Sequence, residues 1–135
     1  MQKKLPKIFL FVDKFNLKDL SSLSKNIDII YRNYKEKINK NVLLSLKKFC
    51  KKDNRKLYLS NNIKLCIQLN LDGIYIPSFN KNLRLSNLNV HKKFDIIGSA
   101  HNKQEIFIKK LQNCKLIFLA PLFETSKNRK SLDII

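Results

Sequence analysis

Lys56-Leu57-Tyr58-Leu59-Ser60-Asn61-Asn62-Ile63-Lys64-Leu65-Cys66-Ile67-Gln68-Leu69-Asn70-Leu71-Asp72-Gly73-Ile74-Tyr75-Ile76 holds, within twenty-one residues, one complete unit of the fold. Lys56 to Leu59 is a short apolar run rich in large side chains, and it stops at the small polar cluster Ser60-Asn61-Asn62. Ile63 to Leu69 brings Ile63, Leu65, Cys66, Ile67 and Leu69 close together, as a short and mostly buried helix would. Asp72-Gly73 then turns the chain into Ile74-Tyr75-Ile76, a strand of the length found on a barrel's inner wall, and Pro77 ends it. The unit has the rhythm of a βα repeat, strand, helix, parallel strand.

The same rhythm extends in both directions. Upstream, Lys7 to Val12 is a nearly unbroken apolar run of the kind seen when both faces of a parallel strand are covered. A helix over Leu17 to Lys25 follows, then the strand Ile27 to Tyr31, then the longest helix, 36–52, with Ile38, Val42, Leu43, Leu46 and Phe49 on one face. Downstream, 78–93 is polar and weakly periodic, with one helical turn near Leu83 to Leu88. Phe94 to Ile97, a helix over 102–112 and Leu116 to Leu119 complete the pattern. About six strands alternate with helices, which predicts an α/β protein with a parallel sheet and right-handed crossovers.

In parallel α/β folds, ligands collect where strands end, because the loops there can vary without disturbing the core. Four strand ends stand out: Arg32-Asn33-Tyr34-Lys35, Ser60-Asn61-Asn62, Gly98-Ser99-Ala100-His101 and Ala120-Pro121-Leu122-Phe123-Glu124-Thr125-Ser126-Lys127. No glycine-rich loop follows the first strand, where Lys14-Phe15-Asn16 stands. With only 2 Gly in the chain, neither a dinucleotide-binding fingerprint nor a P-loop is present.

Composition narrows the class further. The 135 residues, 44% of them hydrophobic, are enough for one domain with a real core. No apolar run approaches the roughly 20 residues that span a bilayer, so no membrane partner is expected. The three cysteines, Cys50, Cys66 and Cys114, form no CxxC and have no neighbouring His pair, which fits a reduced, cytoplasmic setting. The formal charge of +18 comes almost entirely from scattered lysines, with Arg32, Arg55, Arg84 and Arg129 the only guanidinium forks. That spread, beside an abundance of Asn and Ile, reads as a solvated, compositionally biased surface rather than a nucleic-acid stripe. A basic surface would still attract phosphorylated metabolites.

The strand ends resemble those of the thiamine phosphate synthase and thiazole tautomerase family, whose members are eight-stranded TIM barrels. Tyr31-Arg32-Asn33-Tyr34-Lys35 is similar to the family's QLREK-type segment: Arg32 falls on its Arg, Ile30 on its Gln and Tyr34 on its Lys, with Lys35 one step away. Leu59-Ser60-Asn61-Asn62 resembles its IND segment, and Leu71 to Ile76 its ADGVHL strand. Gly98-Ser99-Ala100-His101 matches its SAH ending, and the loop from Ala120 to Lys127 its GPVFPT loop. The Glu124-Thr125 pair is closer to the tautomerase branch, but the tautomerase histidine would align with Pro121.

The resemblance implies a parallel (β/α) TIM-barrel domain that stops after about six of eight strands, before the last two βα units. It is then a fragment, a truncated product or a protein that covers its open sheet edges with a partner chain such as a second copy. It implies a transferase of thiamine biosynthesis that couples hydroxymethylpyrimidine diphosphate to thiazole phosphate and releases pyrophosphate. The implied catalytic residues are Arg32, Ser99 and Lys127; substrate binding adds Lys35, Ser60, His101 and Thr125. In the family an Asp in each of two loops binds Mg²⁺; Asn61 and Asn80 stand in those places, and an amide oxygen brings no charge, so a weakened Mg²⁺ site is expected. The alternative is a non-catalytic phosphometabolite-binding or interaction domain on the same scaffold.

Overall fold

The computed structural model describes residues 7–35, 37–87 and 90–119. Six strands run in parallel: β1 (Ile8–Val12), β2 (Ile27–Tyr31), β3 (Leu57–Ser60), β4 (Gly73–Ile76), β5 (Asp95–Ala100) and β6 (Leu116–Leu119). Their order in the sheet is the order in the chain. The connections hold α1 (Leu17–Leu20), α2 (Lys40–Lys52), α3 (Ile63–Gln68), a 3₁₀ turn (Leu83–Asn87) and α4 (Lys103–Leu111). The α/β class and the parallel sheet are therefore as the sequence predicts.

Strand alternation sorts the side chains into two cores. Ile29, Tyr31, Leu57, Leu59, Ile74 and Ile76 face outward and are sealed by Leu43, Leu46 and Cys50 of α2 and by Leu65 and Cys66 of α3. Ile30, Tyr58, Tyr75 and Ile97 face the concave side with Phe9, Phe11 and Phe118. A flat sheet would hold its first and sixth strands roughly 24 Å apart. The rings of Phe9 in β1 and Phe118 in β6 are nonetheless 5.0 Å apart, edge to face. Only a sheet curled into a half-barrel brings them together.

Side-chain caps set the helix starts. Asn16, Asn39, Asn62 and Asn102 each accept a hydrogen bond from a backbone N–H of the first turn, satisfying donors that have no partner within the helix. Asn39 thereby starts α2 at Lys40, four residues later than hydrophobic spacing suggests. Helix α1 ends after Leu20, well short of Lys25, as the hydroxyls of Ser21 and Ser22 bond back to the carbonyls of Lys18 and Asp19. Strand β5 runs on through Gly98-Ser99-Ala100, read from sequence as its end, because pairing with β4 reaches Gly98 and pairing with β6 continues to Ala100.

Two close approaches fix the glycines. A Cβ on Gly73 would overlap the Asp95 carbonyl oxygen, and one on Gly98 would lie 2.8 Å from that of Ile76. At the amino end of the half-barrel a hollow of about 560 Å³ is rimmed by Lys7, Asp28, Lys56, Asp95 and Lys115. Among the described residues no helix is long and apolar enough to cross a membrane.

Candidate functional site

Four strands deliver polar side chains to the carboxyl end of the half-barrel. Arg32 leaves β2 with its guanidinium 3.9 Å from the centre of the Phe11 ring and 5.8 Å from that of Tyr34. Such stacking on aromatic faces holds a planar cation in place. Tyr75 of β4 donates from its hydroxyl to Ser99 Oγ of β5 at 2.7 Å, and the Arg32 guanidinium lies near enough to favour its ionised form. Burial pushes the Tyr75 phenol up, outweighing the Ser99 and Arg32 contacts, so it stays a protonated donor at neutral pH. The Tyr34 hydroxyl reaches Ser60 Oγ at the end of β3, 3.2 Å away.

A second layer lies above this one. Asn61 turns the chain off β3 with φ of 72°, a left-handed conformation that asparagine tolerates better than most residues. Its Oδ1 accepts a short hydrogen bond from Asn80 Nδ2 in the loop after β4. The ring of Phe79 meets that of Tyr34 edge to face at 5.7 Å. An open cleft of about 480 Å³ runs beside these groups, lined in part by Asn33, Tyr34, Ser60, Asn61 and Lys64.

The loop that carries Phe79 and Asn80 is held from behind. Lys109, with 0% of its surface exposed, donates from Nζ to the Asn80 carbonyl at 2.9 Å. Gln112, equally buried, donates to the same oxygen at 2.9 Å and to the Asn82 carbonyl at 3.1 Å. Burial holds the Lys109 ammonium below its ordinary value, partly offset by Cys114 and Glu105.

Of the residues singled out in the sequence, Arg32, Ser60 and Ser99 are linked through Tyr34 and Tyr75, two residues given no role there. Lys35 is exposed beside Asn33, whose Oδ1 accepts its backbone N–H. His101 lies at the start of α4, where Glu105 accepts its backbone N–H at 2.7 Å and lies 3.2 Å from its Nδ1. Thr125 and Lys127 lie outside the described residues. Asn61 and Asn80 do meet, but each is already engaged: Asn61 Oδ1 by Asn80, and Asn80 Oδ1 by the Asn82 N–H at 3.0 Å. Among the described residues no group of three or more His, Cys, Asp or Glu is placed to hold a metal. As arranged, the Asn61 and Asn80 donor set does not suit a hard cation, which takes charged or freely available oxygens.

The thiols are not nucleophiles at neutral pH. Burial pushes Cys50 and Cys66 up to about 12 and Cys114 up to about 11. The mouth thus offers one stacked guanidinium, several hydroxyl groups and an aromatic wall, a set suited to an anion attached to a ring. No protein-family model and no curated protein matches the chain.

Proposed function

We propose that this mouth binds phosphorylated thiamine precursors, on the framework of a TIM barrel, and that the chain acts as a thiamine phosphate synthase. The observation that carries the reading is the linkage of Arg32, Tyr75 and Ser99 at one strand-end cluster. In the proposed reaction the bond between the pyrimidine methylene carbon and the diphosphate oxygen breaks, and the electron pair leaves with pyrophosphate. The thiazole nitrogen lone pair then forms the new C–N bond. Arg32 offsets the charge growing on the leaving oxygens, and the Ser99 hydroxyl, which accepts from Tyr75 and keeps its own proton to donate, orients them, as donors fixed in advance do most effectively.

A second reading is favoured by the hydrogen bond that Asn80 Nδ2 donates to Asn61 Oδ1: a phosphometabolite-binding domain without turnover. Mass-tagged hydroxymethylpyrimidine diphosphate and thiazole phosphate, incubated with folded protein and added Mg²⁺, separate the two. Thiamine phosphate that falls about 100-fold or more in Arg32→Ala supports synthase chemistry. Binding of the diphosphate without product supports the second reading, and failure to bind either compound overturns both.

A further inference from the structure

We infer that Tyr34 and Phe79 form a wall that grips the ring of the phosphorylated ligand, and that Lys109 and Gln112 keep Phe79 in place to do so. Phe79 is 62% exposed and Tyr34 56%, yet their rings stand edge to face at 5.7 Å instead of folding onto the core. A single exposed aromatic residue needs no explanation. Two in register, one of them beside a guanidinium, make a surface that is apolar on one side and cationic on the next.

The spacing suits a ring with an anionic arm. Tyr34 lies between Phe79 and Arg32, touching the first ring and standing 5.8 Å from the second group. A planar heterocycle stacked on the face of one of these rings would meet the edge of the other and present its phosphate toward Arg32. Ring stacking of this kind contributes about a tenfold or greater gain per base in other proteins.

The wall does not assemble by chance. An exposed loop after a four-residue strand would ordinarily sample many positions, and ordering it on ligand binding lowers affinity. Here two fully buried polar side chains, Lys109 of α4 and Gln112 at its C-cap, converge on one carbonyl, that of Asn80, the residue next to Phe79. A lysine enclosed in this way is costly unless its ammonium has a partner, and the loop carbonyl supplies it. Lys109 and Gln112 are therefore positioning residues: they do not touch the ligand, and they hold the residue that does.

The inference rests on the phosphate-binding reading, and two probes tell their failures apart. Hydroxymethylpyrimidine diphosphate carries ring and phosphates, whereas inorganic pyrophosphate carries phosphates alone; both are titrated calorimetrically into the full chain. The wild-type protein is expected to bind the first at least tenfold more tightly. Phe79→Ala should bring that ratio to within about threefold of unity and move pyrophosphate affinity less than twofold, while Phe79→Trp restores it. Lys109→Met, compared with Lys109→Arg at matched folded fraction by circular dichroism, should lose the same ratio and recover part of it. A ratio unchanged in Phe79→Ala, with pyrophosphate still bound, overturns the wall alone. Failure of the wild-type protein to bind either probe overturns the phosphate site and the wall with it.

Discussion

Asp95 receives three donors at once, from Lys56 Nζ at 2.9 Å, Tyr58 Oη at 2.9 Å and Lys115 Nζ at 2.5 Å, although only 6% of its surface is exposed. Burial pushes its carboxyl up, but the bonds from Lys115, Lys56 and Tyr58 together outweigh that and hold it below the ordinary carboxylate range. A depressed folded-state value contributes stability that is present above the unfolded value and lost as pH falls through the folded one. Urea unfolding should therefore show a loss of stability below about pH 4 that is smaller in Asp95→Asn. At pH 7 that substitution is expected to cost about 2 kcal/mol, since both lysines are half exposed and retain hydration. None of this was legible in the sequence. Lys56 and Asp95 are 39 positions apart, and a charged residue inside a strand carries no mark of a distant partner. Lys109 and Arg55 were hidden in the same way: each reads as surface charge, and each is buried with its donors on backbone carbonyls.

Elements were far more legible, because their signals are local. The strands at 27–31 and 116–119 fall where alternation and branched side chains put them, and the caps at Asn62 and Asn102 stand next to the helices they start. Boundaries shifted where a polar residue continued a ladder, as Ser60 does in β3 and Ser99 in β5. Both face the concave side, where a hydroxyl can sit within a strand and still find a partner. The glycine of Asp72-Gly73 was legible as a turn, yet its stronger constraint comes from β5, whose Asp95 carbonyl occupies the space of a Cβ. Gly73→Ala should accordingly cost 3 kcal/mol or more, at the upper end of overpacking, measured as a fall in the urea midpoint with unchanged slope.

At the scale of the whole molecule, the order of strands followed from the repeat, but the depth of the curl did not. It is set by which side chains fill the concave face, and rings at 9, 11, 58, 75 and 118 draw the sheet round until its first and sixth strands share a contact. Phe118→Ala should lower stability by about 2–3 kcal/mol, less than for a fully buried Phe because Phe118 is only half-buried. Equilibrium denaturation measures that loss.

The same stack of rings has a further effect. It stands as a bulkhead between the acid and lysine lattice at one end and the guanidinium and hydroxyl groups at the other. Among the described residues the Phe9, Phe11, Tyr58, Tyr75 and Phe118 rings pack tilted or edge to face across the concave side between those two ends. Among the described residues the bonds that Asp95 accepts at one end share no partner with the Tyr75 and Ser99 pair at the other, so the ionic foundation can be rebuilt by mutagenesis without taking a hydrogen-bond partner from the opposite opening.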